Sequence, residues 1–124
     1  MKKILIVDDQ PAVRELVSVT LEIGPYQILT AENGDQALSI ARAELPELML
    51  LDIQMPLMDG YAALAHLREQ PQLAGVHIIA LTAFAMSEDK LRIMQAGFDG
   101  YITKPFELTE LHETVERHLN RFAT

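Results

Sequence analysis

Short, uninterrupted apolar runs alternate along the chain with longer segments of helical spacing. The runs are Ile4-Leu5-Ile6-Val7, Ile28-Leu29, Leu48-Met49-Leu50-Leu51, Ile78-Ile79-Ala80-Leu81 and Tyr101-Ile102. Several lack the apolar and polar alternation of a half-exposed strand, which predicts strands covered on both faces of a parallel sheet. Between the first two runs, Val13, Leu16, Val17, Thr20 and Leu21 fall on one face of a helix. Pro11 suits the first turn of that helix, and Gly24-Pro25 stops it. Asn33-Gly34-Asp35 opens a second helix carrying Leu38, Ala41 and Leu45, closed by Pro46. Gly60 leads into a third with Tyr61, Leu64 and Leu67. A fourth, capped by Ser87, carries Leu91, Met94 and Phe98 and ends at Gly97. Leu108, Leu111, Val115, Leu119 and Phe122 stripe the last, with Glu107 and Glu110 favourably placed in its first turn.

Five strands and five helices thus alternate strictly. Units of this length predict a parallel sheet with right-handed crossovers and helices on both faces. The expected architecture is a flavodoxin-like (βα)5 three-layer sandwich with strand order 2-1-3-4-5, which suits five strands better than a dinucleotide-binding order. No repeat, linker or low-complexity stretch divides the chain, so residues 1–124 read as one domain.

Sheets of this kind bind ligands beyond the carboxyl ends of the strands, where the strand order reverses. Here that point lies between the first and third strands. Asp8 and Asp9 follow the first strand, and Asp52 follows the third. The fourth leads into Thr82 and Ala83, and the fifth into Thr103, Lys104 and Pro105. The second ends at the far edge in Thr30-Ala31-Glu32, without evident chemistry. Three crowded carboxylates raise one another's pKa unless a cation joins them, and an all-oxygen site suits Mg²⁺. With Lys104 as a second positive charge, the set matches what a phosphoryl group needs for transfer onto a carboxylate oxygen. Singly, each Asp reads as a turn or cap residue, Thr82 as a turn hydroxyl and Lys104 as a surface lysine. Their joint arrival at one rim carries the functional reading.

Composition narrows the field further. The chain has 124 residues, 23% of them charged and 49% hydrophobic, a globular profile. It has no cysteine, so disulfide, thiolate-metal and cysteine-nucleophile chemistry are excluded. A net charge of −8 argues against direct nucleic-acid binding, which needs clustered Lys and Arg. No apolar run approaches the roughly 20 residues of a membrane helix, and none suits a signal peptide, so the expected location is cytoplasmic and not at a membrane. His66, His77, His112 and His118 show no ligand spacing, and Glu107, Glu110, Glu113 and Glu116 read as a solvated face.

Four motifs resemble the receiver domains of two-component response regulators. They are Val7-Asp8-Asp9, Asp52 before Met55-Pro56…Asp59-Gly60, Leu81-Thr82-Ala83, and Tyr101-Ile102-Thr103-Lys104-Pro105-Phe106. The likeness covers nearly the whole chain. It implies that Asp52 accepts a phosphoryl group from a histidine kinase, a phosphotransfer protein or a small acyl phosphate. Asp9 would bind Mg²⁺ directly and Asp8 more through water, with Asp52 and the Gln54 carbonyl completing the ligands. Mn²⁺ is an alternative metal. Lys104 would pair with a phosphoryl oxygen, and its bond to Pro105 would be cis. Thr82 and the Ala83 N–H would hold the phosphoryl group, and Tyr101 would turn inward as the second half of a switch. Readout would fall on the fourth helix, fifth strand and fifth helix, roughly residues 87–122. Gln54 and Phe84 stand where family members vary and phosphoryl lifetime is tuned, and Phe84 is expected to shield the acyl phosphate from water.

On this resemblance the domain is a phosphoacceptor and not a conventional turnover enzyme. Met1 directly before the first strand points to an N-terminal receiver, whose downstream partner is a protein target or a covalently linked output domain. A phosphorylation-dependent homodimer stays open. The alternative is a receiver-like interaction module that takes no phosphate, but such modules usually lack one of the acidic or lysine positions present here. An aspartyl phosphatase would need Asp-x-Asp after the first strand, where this chain has Asp8-Asp9-Gln10. No Gly-rich loop supports a nucleotide binder.

Overall fold

The structure is a computed structural model that describes residues 1–84 and 86–120. The described residues form strands β1 (Lys2–Val7), β2 (Tyr26–Ala31), β3 (Leu48–Asp52), β4 (His77–Thr82) and β5 (Gly100–Thr103). Helices α1 (Pro11–Glu22), α2 (Gly34–Glu44), α3 (Gly60–Arg68), α4 (Ser87–Ala96) and α5 (Leu108–Leu119) alternate with them. Every strand pair is parallel, in the order β2-β1-β3-β4-β5. The flavodoxin-like sandwich and its strand order are therefore as expected. Register aligns the carboxyl ends: Val7 sits beside Ala31 and Leu51, Asp52 beside Leu81, and Thr82 beside Thr103.

Successive strand residues face opposite sides of the sheet, so each central strand feeds two cores. Leu5, Val7, Met49, Leu51, Ile78 and Ala80 pack under α2, α3 and α4, against residues such as Ala41, Leu64 and Ile93. Ile4, Ile6, Leu48, Leu50, Ile79 and Leu81 pack under α1 and α5, against Val17, Leu21, Leu111 and Val115. Both faces are covered, which is why the runs show no polar alternation.

Helix details depart from the periodic reading in several places. Leu91 and Met94 of α4 are exposed, and the buried residue of that helix is Ile93. Apolar periodicity marks a stripe without saying whether a neighbour covers it. In α1, Leu16 is also exposed, while Val17 and Leu21 are buried. Ser87 is the first residue of α4, not its cap. Extended Met86 takes the cap position, and its N–H donates to Asp89 Oδ2 at 3.3 Å. Leu45 caps α2 in the left-handed region at φ 49° and is exposed. Leu108 is exposed as well, and Phe122 lies outside the described residues. A 3-10 turn at Pro71–Leu73 precedes β4, with Leu73 buried.

Gly97 ends α4 in the left-handed conformation that glycine adopts without strain. Asn33 caps α2, its Oδ1 accepting the Gln36 N–H at 2.9 Å. Replacing Asn33 by Ala is expected to lower stability by about 1 kcal/mol, measurable as a shift in the urea midpoint with unchanged slope.

Candidate functional site

The site begins at the carboxyl end of β3. Asp52 is 3% exposed and Asp8, directly after β1, is 0% exposed. Carboxylate oxygens of Asp8, Asp9 and Asp52 lie within 4.8 Å of one another, with Asp9 the most open to solvent. Lys104 reaches in from the loop after β5, placing Nζ 2.7 Å from Asp8 Oδ2 and 3.5 Å from Asp52 Oδ2. Its backbone N–H donates to the Thr82 carbonyl at 2.7 Å, so β4 and the β5 loop hold each other in place. The Lys104–Pro105 peptide is cis, as the family resemblance implied.

The loop after β3 is folded tightly under Asp52. Gln54 donates its N–H to Asp52 Oδ1 at 3.0 Å, and Gly60 donates to the Ile53 carbonyl at 2.8 Å. A Cβ on Gly60 would stand 2.6 Å from both the Asp52 carbonyl oxygen and the Ile53 Cα. Backbone cannot yield as a side-chain end can. Gly60→Ala is therefore expected to cost about 2 kcal/mol by overpacking and to displace Asp52. Urea unfolding and the rate of acyl-phosphate labelling would both register it.

Burial pushes the Asp52 carboxyl from the ordinary 3.8 up to about 6. The Gln54 N–H works against that rise; Asp8 adds to it, and Lys104 opposes it. One ammonium thus stands against three clustered carboxylates. An oxygen-only donor set with surplus negative charge fits a hard divalent cation. Asp8, Asp9 and Asp52 are the side chains positioned to hold it.

Thr82 ends β4 and is buried, with its Oγ1 accepting the Phe84 N–H at 3.0 Å. Ala83 and Phe84 follow and are exposed. Tyr101 on β5 is half-buried against the α2–α3–α4 core, with Lys90 Nζ 5.7 Å from its ring centroid. The structure therefore brings Asp8, Asp9, Asp52 and Lys104 together directly and sets Thr82 at the neighbouring strand end.

Some partnerships were invisible in the sequence. Arg14 in α1 donates to the Asp8 carbonyl at 2.7 Å and pairs with Glu32, just past β2, at 3.8 Å. The end of β2 is thus joined to the site. His77 and His118, 41 residues apart, bring their Nδ1 atoms to 3.3 Å. Among the described residues, the only cluster of three or more metal-ligating groups is the acidic one. The four glutamates assigned to a solvated face are exposed as expected.

Three carboxylates and a lysine thus gather at the switch point of a parallel sheet covered on both faces. The chain belongs to the response regulator receiver domain family, whose profile matches residues 4–116. It is 36% identical over 121 residues to the DNA-binding dual master transcriptional regulator RpaA of Synechocystis, covering 98% of this chain and 50% of that protein. The polar-differentiation response regulator DivK of Brucella anthropi is 36% identical over 118 residues, covering 95% of this chain and 96% of DivK. The chain spans about half the length of RpaA and of the ycf27 transcriptional regulators it also matches. Among solved structures, the chemotaxis response regulator CheY4 of Vibrio cholerae superposes with TM-score 0.90 at 33% identity, covering 95% and 98% of the two chains. The receiver domain of sensor histidine kinase PA1611 from Pseudomonas aeruginosa, solved with magnesium in its active-site cleft, gives 0.87 at 33% identity, covering 96% and 98%. Among the described residues no helix is long and apolar enough to cross a membrane.

Proposed function

We propose that residues 1–124 act as one receiver domain that carries a phosphoryl group on Asp52. The observation behind this is the pairing of a buried Asp52, its pKa raised by burial, with Lys104 and two further carboxylates at one strand rim. An Asp52 oxygen attacks phosphorus, and the bond from phosphorus to the donor breaks. The donor is the imidazole nitrogen of a histidine kinase or phosphotransfer protein, or the acyl oxygen of a small acyl phosphate; it leaves with the electron pair. Asp8, Asp9 and Asp52, with the Gln54 carbonyl, hold Mg²⁺ or Mn²⁺, which neutralises charge on the transferred group. Lys104 takes a phosphoryl oxygen, exchanging part of its present pairing with Asp8.

To donate to the phosphoryl group, alongside the Ala83 N–H, the Thr82 hydroxyl turns its O–H away from the Phe84 carbonyl that now lies 3.4 Å away. Tyr101 then moves further under α4. Both arrangements exist beforehand, and the phosphoryl contacts shift the population toward one of them. The changed face is α4, β5 and α5, where a downstream protein, a linked output domain or a second copy docks. The domain signals in the cytoplasm and is not a turnover enzyme.

Intact mass after incubation with acetyl phosphate and Mg²⁺ tests this. One labile phosphoryl adduct, absent when Mg²⁺ is chelated, is the expected result. No adduct, together with no binding of Mg²⁺ or beryllofluoride, would instead assign the chain as a constitutive interaction module.

A further inference from the structure

We propose that Arg14 is a positioning residue for the cation site, acting through the Asp8–Asp9 peptide; this rests on the reading of the acidic cluster given above. Every polar group of Asp8 is engaged. Its N–H donates to the Ala31 carbonyl at 3.2 Å. Its Oδ1 accepts the Gln10 N–H at 2.9 Å, and its Oδ2 takes Lys104 at 2.7 Å. The remaining group, its carbonyl, accepts from Arg14 Nη1 at 2.7 Å. That carbonyl belongs to the planar peptide joining Asp8 to Asp9. Clamping it fixes the direction in which the chain enters Asp9, the most solvent-open of the three clustered carboxylates. Few freedoms beyond the Asp9 side-chain torsions then separate its carboxylate from its place beside Asp52.

The clamp is itself braced. Arg14 is 18% exposed at its side chain, and its other terminal nitrogen lies 3.8 Å from Glu32 Oε2. Glu32 is held in turn by Gln36, whose Oε1 accepts the Glu32 N–H at 2.9 Å and whose Nε2 lies 3.3 Å from Glu32 Oε1. Gln36 stands in the first turn of α2, against the Asn33 cap. A planar guanidinium suits this task, because it offers donors along two fixed directions, one to a carbonyl and one to a carboxylate. The line Gln36, Glu32, Arg14, Asp8 ties α1, α2 and the far edge of the sheet to the metal-ligating end of β1.

The test turns on sign. By Coulomb repulsion alone, removing a cationic side chain near a Mg²⁺ site tightens Mg²⁺ binding. A positioning role predicts the reverse. Mg²⁺ dissociation constants are measured calorimetrically for wild type, Arg14→Ala and Arg14→Lys, each first shown folded by circular dichroism. Arg14→Ala is expected to bind about tenfold more weakly, the loss common when a group orienting a metal ligand is removed. Arg14→Lys, which keeps the charge and a donor for the carbonyl but loses the second fixed direction toward Glu32, is expected to regain part of that affinity. An Arg14→Ala affinity equal to or tighter than wild type overturns the proposal, as does a Lys variant no better than the Ala variant. Absence of Mg²⁺ binding by the wild type overturns the acidic-site reading itself, and the Arg14 role with it.

Discussion

Asp52→Asn is expected to reduce acyl-phosphate labelling to background while leaving the fold in place. The side chain is 3% exposed and packed into the strand end, so a replacement of equal size leaves no cavity. Asparagine keeps an oxygen that can accept the Gln54 N–H now bound to Asp52 Oδ1 at 3.0 Å. What it lacks is an anionic oxygen to attack phosphorus, and no neighbouring group substitutes readily. Asp8 is fully buried beneath the Lys104 ammonium at 2.7 Å. Asp9 lies nearer solvent, so an adduct of undiminished yield on the mutant, mapped to Asp9, would move the acceptor there. Intact mass with acetyl phosphate and Mg²⁺ decides between the two.

The same substitution is expected to stabilise the metal-free protein above about pH 7, by on the order of 3 kcal/mol. In the folded chain the Asp52 carboxyl takes its proton at about 6, whereas its ordinary value is 3.8. Above the higher value both states are ionised, and the folded state carries the cost of a buried charge near Asp8 that Lys104 offsets in part. As pH falls through about 6, the folded state binds a proton that the unfolded state does not, and stability rises until the unfolded carboxyl titrates near 3.8. The advantage of Asp52→Asn over wild type should therefore shrink between those two values. Saturating Mg²⁺ should narrow it near neutrality, since a bound cation stabilises only the folded form. Urea unfolding of both proteins in chelator, at about pH 7.5 and at about pH 5, gives the comparison. A gap that does not change with pH would show that Asp52 is not the group whose burial costs stability.

Arg14 ties the acidic cluster to elements beyond it, through the Asp8 carbonyl and Glu32. Sheet register sets the strand ends side by side, and the guanidinium then fixes one peptide among them. This division of labour suits a site whose work is placement of charge.

The alternation of apolar runs and helical stripes determined the fold, because only a parallel sheet covered on both faces accommodates such runs without polar alternation. The strand ends pointed to the candidate site: Asp8, Asp9, Asp52, Thr82 and Lys104 each come at or just after the end of a strand, and topology carries strand ends to one rim. The tertiary structure decided what periodicity leaves open. Leu91 and Met94 recur as regularly as a buried stripe, yet Ile93 is the residue of α4 that meets the core. Whether a stripe is covered depends on the neighbouring element, not on spacing within its own helix. Glu32 looked idle until β2 was paired with β1, which set it within reach of Arg14. His77 and His118 became partners for the same reason, β4 and α5 meeting although 41 residues separate the two rings. Local sequence encodes periodicity and strand-end chemistry, whereas contacts between residues distant in the chain exist only once the helices have settled on the sheet.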